Sequence, residues 1–209
     1  MSAYARLERA RLADLLLETG PDAPTMCAGW ATRDLAAHLV VRDRRPDSGL
    51  GLLVPPLAGH GEHVRKQKAA EPYERVVAQI RRPPWWSPVS NPLVHELANH
   101  AEFFVHHEDV RRGGDTWEPR DLDADETRAL WRLARFSSRL ALRRLHVPAV
   151  VRAPGVGEVK VGDGPAVATL TGHPGEFVLF FFGRQRATRL EIEASPELEQ
   201  QLRTRRFGT

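Results

Sequence analysis

The chain has 209 residues, of which 42% are hydrophobic and 27% are charged, a composition typical of a globular protein with one or two small domains. Its 30 basic and 27 acidic residues give a formal net charge of +3, and such nearly balanced, interspersed charge argues against nucleic acid as a partner. No signal-peptide pattern opens the sequence and no apolar run reaches membrane-spanning length, so we expect a cytoplasmic protein without a membrane partner. The single cysteine, Cys27, excludes an intramolecular disulfide and agrees with a reducing compartment.

Two amphipathic helices are predicted near the start of the chain. The first covers residues 3–19, and the second runs from about residue 32 to 42 with Thr32 as its N-cap. His38 lies on the apolar stripe of the second helix, where it is either a core histidine bonded within the protein or a metal ligand. Cys27 precedes this helix, and we favour a packed, inert thiol over a ligand or a nucleophile.

The stretch from 43 to 92 is less regular. His60 and His63 have a spacing that some metal sites use, but their glycine and charged neighbours indicate an exposed segment. A short helix is predicted from 72 to 82. Trp85 and Trp86 follow it between prolines, where they either line a substrate-binding pocket or cover the edge of a core.

The central helix, predicted from Asn91 as N-cap to Gly113, carries most of the candidate chemistry. Glu102, His106 and Asp109 fall on one stripe, because spacings of three and four residues return to the same face. Buried charged groups need partners, and a metal ion is one such partner. The alternatives are a simple helical pair between the glutamate and the histidine, and an arginine partner for the aspartate.

Two other histidines of this helix, His100 and His107, lie more than a quarter turn away from that stripe. On this geometry we expect both to be partly solvated.

A fourth long helix is predicted from Asp123, its N-cap, to about 145. Four main helices favour a four-helix bundle, whose core is a common place for metal sites. Beyond residue 148 the pattern changes to short β-branched runs separated by glycines, followed by a helix, a strand and a last helix. The predicted fold is therefore mainly α with a C-terminal α+β unit, divided into domains 1–147 and 148–209.

Three motifs give the chain a resemblance to a known family. They are His38 in Arg33-Asp-Leu-Ala-Ala-His38, the Glu102-x-x-x-His106-x-x-Asp109 helix, and the C-terminal Gly172-His-Pro-Gly-Glu-Phe-x-Leu-x-x-x-Gly-Arg184. Together they resemble the mycothiol-dependent maleylpyruvate isomerase family of the DinB-like superfamily. The segment Glu102-Phe-Phe-Val-His-His-Glu-Asp-Val-Arg-Arg112 resembles more closely an actinobacterial metal-binding branch whose reaction is not established.

The resemblance implies a DinB-like four-helix bundle in which His38, Glu102 and His106 bind a divalent metal. Two imidazoles and one carboxylate suit zinc with a fourth position open. Asp109 would then be an outer partner of a ligand imidazole. By the same resemblance, Arg184 is a candidate for binding a carboxylate of the substrate or thiol, although we favour a structural ion pair.

We therefore expect a zinc-dependent enzyme that uses a low-molecular-weight thiol such as mycothiol in a transfer or isomerisation. The alternative is a noncatalytic metal-dependent ligand-binding or sensing protein. Neither the reaction nor the oligomeric state follows from the sequence.

Overall fold

The structure is a computed structural model that describes residues 3–47, 58–87 and 92–207, with side chains for 4–47, 59–87 and 98–207. Within these ranges the chain forms eight α-helices and one four-stranded sheet. The helices are α1 (Ala3–Thr19), α2 (Thr32–Arg44), α3 (Ala58–Ala69), α4 (Tyr73–Arg81), α5 (Pro92–Arg111), α6 (Ala124–Arg144), α7 (Pro174–Phe181) and α8 (Pro196–Thr204). The strands are β1 (Ala149–Ala153), β2 (Gly157–Val161), β3 (Ala168–Thr171) and β4 (Glu191–Glu193). The predicted class, mainly α with a C-terminal α+β unit, is confirmed.

The helix starts follow the predicted capping chemistry with one exception. Asp123 caps α6 by accepting hydrogen bonds from the backbone N–H groups of Asp125 and Glu126. Thr32 is not the N-cap of α2 but its first residue, and its hydroxyl donates to the carbonyl of Gly20 at 2.5 Å. Asn91, the predicted cap of α5, lies outside the described residues.

The chain divides into two compact units, the first of which comprises residues 1–118. Four helices of this unit, α1, α2, α4 and α5, share one apolar core, and α3 packs against α2. The short helix α4 therefore occupies a place in the bundle that the sequence analysis gave to α6. The buried residues of this core are Leu12, Ala13, Leu16, Leu35, Ala36, Leu39, Val40, Val76, Val77, Ile80, Phe103 and Val110.

The second unit comprises residues 119–209 and contains α6 together with the sheet. The strand order is β2-β1-β3-β4, with β1 and β3 parallel and the two outer pairings antiparallel. Trp131 of α6 packs beside Phe177 of α7, and a Cβ atom on Gly157 of β2 would lie 2.7 Å from the Trp131 indole nitrogen. The boundary thus falls at 118/119 rather than the predicted 147/148. Amphipathic spacing showed that α6 has an apolar face, but not which neighbours that face covers.

Among the described residues, no helix combines the length and the apolarity needed to cross a membrane. The two longest, α5 and α6, have 20 and 21 residues, and both carry several charged side chains.

Candidate metal centre

Helices α2 and α5 bring together the three side chains that the family resemblance implied as metal ligands. Glu102 and His106 stand one turn apart on α5, with the carboxylate oxygen Oε1 of Glu102 3.3 Å from the imidazole nitrogen Nε2 of His106. His38 of α2 points its Nε2 at the same oxygen from 3.2 Å. The two imidazole rings meet edge to face with centroids 5.2 Å apart. We call His38, Glu102 and His106 the three-donor cluster.

The spacing of this cluster suits a tetrahedral metal ion. Zinc bound at its usual distances of about 2.0–2.2 Å from nitrogen and oxygen places neighbouring ligand atoms about 3.3 Å apart. The separations of 3.2 and 3.3 Å between the donors already match that edge length. The side chains of His38, Glu102 and His106 are 33%, 24% and 10% exposed, so solvent or a small molecule can approach from the His38 side. Two imidazoles, one carboxylate and an accessible side form an arrangement that fits an open zinc site.

Asp109 fixes the other side of the His106 ring. Its Oδ2 lies 2.8 Å from Nδ1 of His106, and its side chain is completely buried. Because an ionised carboxylate can only accept a hydrogen bond, Nδ1 carries the proton. The Nε2 nitrogen is thereby left to face Glu102 and His38, the orientation that a metal-binding imidazole needs.

The charges of the cluster reinforce one another. Burial opposes ionisation of Glu102, but hydrogen bonds from His106 and His38 and the charge of Arg42 outweigh it and hold the carboxyl pKa well below its ordinary value. Burial likewise opposes protonation of His106, yet Asp109, Cys27 and Glu102 together raise the imidazole pKa well above its ordinary value. A metal ion binding at His106 therefore has to displace a proton.

Two contacts at the cluster were not identified from the sequence. Arg42 places its Nε 3.3 Å from Oε1 of Glu102, on the α2 stripe that also carries His38. Trp30 tilts against the His38 ring at 5.2 Å, and the guanidinium of Arg65 lies 4.7 Å from the centre of the indole ring. The four-residue spacing between His38 and Arg42 was the available signal for the first contact. The second depends on a loop whose path the sequence does not specify.

Cys27 also reaches this region, through the loop that precedes α2. Its thiol donates to Oδ2 of Asp109 at 3.2 Å, and the backbone N–H of Met26 donates to the Asp109 carbonyl at 2.9 Å. Gly113 permits this approach, since a Cβ atom there would lie 2.2 Å from the carbonyl oxygen of Pro24. Cys27, His106 and Asp109 thus form a second group of donors that shares one histidine with the three-donor cluster.

The prediction that His100 and His107 are partly solvated is wrong. They are 3% and 7% exposed, because α1 packs against that face of α5. His100 stacks on Tyr4 with ring centroids 5.7 Å apart, and Nδ1 of His107 lies 3.1 Å from Oε2 of Glu8. Helical geometry fixed the direction of these side chains but not the presence of a neighbouring helix.

The described contacts of the predicted substrate-binding residues are local ones. Trp85 and Trp86 follow α4 and are 91% and 50% exposed. Within the described side chains, neither indole makes a hydrogen bond or a ring contact to the three-donor cluster. Arg184 belongs to the second unit, where its guanidinium donates to the carbonyl of Phe182 at 2.6 Å. Roles for these three residues in substrate binding stay predictions.

His60 is not part of the cluster either. It lies in α3, and its Nε2 is 2.8 Å from Asp47. Among the described residues, the groups of three or more potential metal donors include neither His60 nor His63.

The fold is shared with solved structures of mycothiol-dependent maleylpyruvate isomerase. One such crystal structure superposes with a TM-score of 0.54 at 17% sequence identity, covering 91% of this chain and 90% of that chain. The structure of a mutant of that isomerase with one histidine replaced by alanine superposes with a TM-score of 0.50, also at 17% identity, covering 87% of each chain. No protein-family model and no curated protein sequence matches the chain. The chain therefore has the DinB-like fold of these isomerase structures, at an identity that speaks for the fold alone.

Proposed function

We propose that the protein is a metal-dependent enzyme in which His38, Glu102 and His106 bind zinc, and that it transfers or isomerises a small molecule with the help of a low-molecular-weight thiol such as mycothiol. The observation that carries the proposal is the convergence of two imidazole nitrogens from two helices on one carboxylate oxygen, at 3.2 and 3.3 Å, with one side of the cluster accessible. Two histidines and one carboxylate are a ligand set found in catalytic zinc sites, where the fourth position binds water or substrate.

Surrounding residues have distinct tasks in this proposal. Asp109 holds the proton on Nδ1 of His106 and so keeps the ring oriented. Arg42 stands beside Glu102 and adds positive charge at the edge of the cluster, which favours an anionic group close by. A bound zinc ion would supply a Lewis acid that lowers the pKa of a thiol or a water molecule at neutral pH. With such an ion, the protein needs no reactive cysteine of its own.

The three-donor cluster suits the metal better than the group formed by Cys27, His106 and Asp109. Asp109 is fully buried, and the proton on Nδ1 of His106 already bonds to it. Binding a metal on that side would break this hydrogen bond inside the protein, where only Cys27 of the three residues is partly exposed. Binding at Nε2 leaves the hydrogen bond intact.

Support for the thiol comes from the shared fold. The two solved structures that superpose on this chain are both of a mycothiol-dependent isomerase, and the first covers 91% of this chain and 90% of its own. We further propose that the protein is cytoplasmic and that Trp85, Trp86 and Arg184 contact the substrate.

Metal analysis combined with a thiol titration tests the proposal. We expect one zinc ion per chain in the purified protein, and a change in the visible absorption of the cobalt-substituted protein when mycothiol is added. Serine, which lacks the thiol, is the control and should leave the spectrum unchanged. Stoichiometric metal without any response to mycothiol would favour a noncatalytic metal-dependent ligand-binding protein. Absence of stoichiometric metal would refute both forms of the proposal.

A further inference from the structure

Helix α6 exposes a continuous stripe of arginines. Most of its apolar residues are buried in the second unit, whereas its outer face carries an arginine at almost every turn. At 100° per residue these side chains fall within about a quarter of the helix circumference and extend over about 22 Å of its length. The arginine stripe consists of Arg128, Arg132, Arg135, Arg139 and Arg143, all exposed.

Most of this positive charge has no counter-charge nearby. Arg128 forms an ion pair with Asp125, one turn before it. In the described part of the chain, the guanidinium groups of Arg132, Arg135, Arg139 and Arg143 form no ion pair and no hydrogen bond. Like charges at spacings of three and four residues repel one another, so the stripe is stabilised by any anion that binds along it.

An exposed aromatic ring flanks the arginine stripe. Phe136 is 63% exposed and Leu140, one turn later, is 45% exposed. Both lie along one edge of the stripe. Phe136 follows Arg132 by one helical turn, and Leu140 follows Arg139 by one residue. The surface thus combines guanidinium groups with one accessible ring.

The net charge of the whole chain does not reveal the arginine stripe. Residues 119–209 hold 15 arginine and lysine residues against 11 acidic ones, whereas residues 1–118 hold 15 against 16. The net positive charge of the protein therefore resides entirely in the second unit. The argument from balanced composition against a nucleic-acid partner does not apply to this surface.

We propose that the arginine stripe binds the phosphate backbone of single-stranded nucleic acid, with Phe136 as a stacking platform for one base. Guanidinium groups pair with phosphates in bidentate fashion, and aromatic rings beside a basic groove stack on bases irrespective of sequence. An anionic membrane fits this face less well. Surface-bound helices insert a wide apolar face, and here only two apolar side chains stand at one edge of the charged row.

Fluorescence anisotropy of a labelled oligothymidylate of about 20 nucleotides with the full-length protein tests the proposal. For four to five phosphate contacts to a single strand, the logarithm of the binding constant should fall with the logarithm of the salt concentration with a slope of about −3. The double variant Arg132→Gln/Arg139→Gln should bind at least about tenfold more weakly at low salt and lower the magnitude of the slope by about 1.4. Phe136→Ala should weaken binding by roughly tenfold with little change in slope, whereas Leu140→Ala should have a small effect.

A matched pair of exposed arginines outside the stripe serves as the control. Arg186→Gln/Arg206→Gln removes the same charge from the same unit and should leave binding within about twofold, with unchanged thermal unfolding confirming that each variant is folded. Equal losses in both double variants would overturn the proposal in favour of diffuse charge attraction. Failure of the wild-type protein to bind the oligonucleotide would also overturn it. So would binding to phosphatidylglycerol vesicles alone that depends equally on Phe136 and Leu140, since that result identifies a membrane surface.

Discussion

Two neighbouring histidines of α5 sit in contrasting surroundings. His106 belongs to the three-donor cluster, in which side chains from two helices converge with exposures of 10–33%. His107 faces α1, where its imidazole meets Glu8 with both side chains almost fully buried, at 8% and 0% exposure. Among the described residues, no third metal donor joins the pair of His107 and Glu8. A histidine beside a carboxylate is thus a structural contact in one case. In the other, a third donor and access to solvent turn it into a candidate metal site.

The largest predicted difference between the surroundings of His106 and those of His107 is in metal binding, which only the three-donor cluster should support. Replacing Glu102 or His38 by alanine leaves two protein donors, too few for an open tetrahedral site. We expect these variants to lose stoichiometric zinc, with an affinity loss exceeding the roughly 10–100-fold that follows removal of an outer partner. Elemental analysis after dialysis gives the metal content directly.

The matched control for this experiment is His107→Ala, which removes an imidazole from the adjacent position of the same helix. It should retain one zinc ion per chain. Loss of zinc from this variant, or full zinc occupancy in His38→Ala, would contradict the assignment of the three-donor cluster.

A smaller loss of metal affinity is expected at Asp109. Asp109→Ala removes the acceptor for Nδ1–H of His106, so the imidazole loses its fixed orientation and part of its basicity. The zinc dissociation constant, measured by competition with a chelator, should rise by about 10–100-fold. Cys27→Ser keeps a hydrogen-bond donor towards Asp109, so this variant should change the zinc dissociation constant by only a few fold. An unchanged constant in Asp109→Ala would mean that this aspartate serves the fold alone.

Replacing His107 is expected to lower the free energy of unfolding rather than the metal content. In His107→Ala the buried carboxylate of Glu8 loses one of its partners, while Arg11 remains 3.0 Å away. Weakening a buried, charge-assisted contact costs about 1–3 kcal/mol of the unfolding free energy. Urea unfolding of the zinc-free protein measures this directly, and His107→Gln, which retains a donor, should recover part of the loss. A stability equal to that of the wild type would show that the contact contributes nothing.

A third histidine, His173 of the second unit, is expected to have the smallest effect, which is on the pH dependence of stability. His173 caps α7 by accepting the N–H of Gly175 on its Nδ1 at 3.3 Å, which requires that nitrogen to be unprotonated. Partial burial lowers the pKa of His173, although the nearby charges of Glu176 and Asp121 act against this shift. The native state therefore binds fewer protons than the unfolded state. The stability contribution is complete above the ordinary pKa of about 6.5 and is lost as the pH falls through the lower pKa of the folded state.

This contribution is checked by following the unfolding free energy between about pH 8 and pH 5. We expect a decrease of only a few tenths of a kcal/mol, since burial of His173 is incomplete and solvent screens its charge. His173→Asn keeps a capping oxygen without a titrating group, and this part of the decrease should disappear. An identical pH dependence in wild type and variant would exclude the cap as its source.

Much of the fold could be predicted from the periodicity of apolar residues and from the residues that begin and end helices. The helices predicted at 3–19, 72–82 and 123–145 are confirmed to within a few residues, because apolar spacing and capping residues act locally. What failed was the choice of neighbours. The sequence could not show that α4 rather than α6 shares the core of the first unit, since several helices have an apolar face of suitable width.

The candidate site was likewise predicted only in part. The spacing within α5 put Glu102, His106 and Asp109 on one stripe, and the resemblance added His38. Arg42, Trp30 and Cys27 were not placed at the cluster by the sequence, because their contacts cross between elements far apart in the chain. The burial of His100 and His107 was missed for the same reason.

By itself, the sequence determined the strands, the helices other than α3, and the stripe of ionisable groups on α5, since these follow from the residues within a few turns of the chain. Only the tertiary structure decided which groups converge. It set the separations of 3.2 and 3.3 Å between donors from α2 and α5, turned the Nδ1 of His106 towards a buried aspartate, and sealed His107 against α1. In the described part of the chain, it also left four of the five arginines of the stripe, all but Arg128, without an ion pair. Distances between side chains on different elements depend on packing, and packing is a property of the whole core rather than of any one segment.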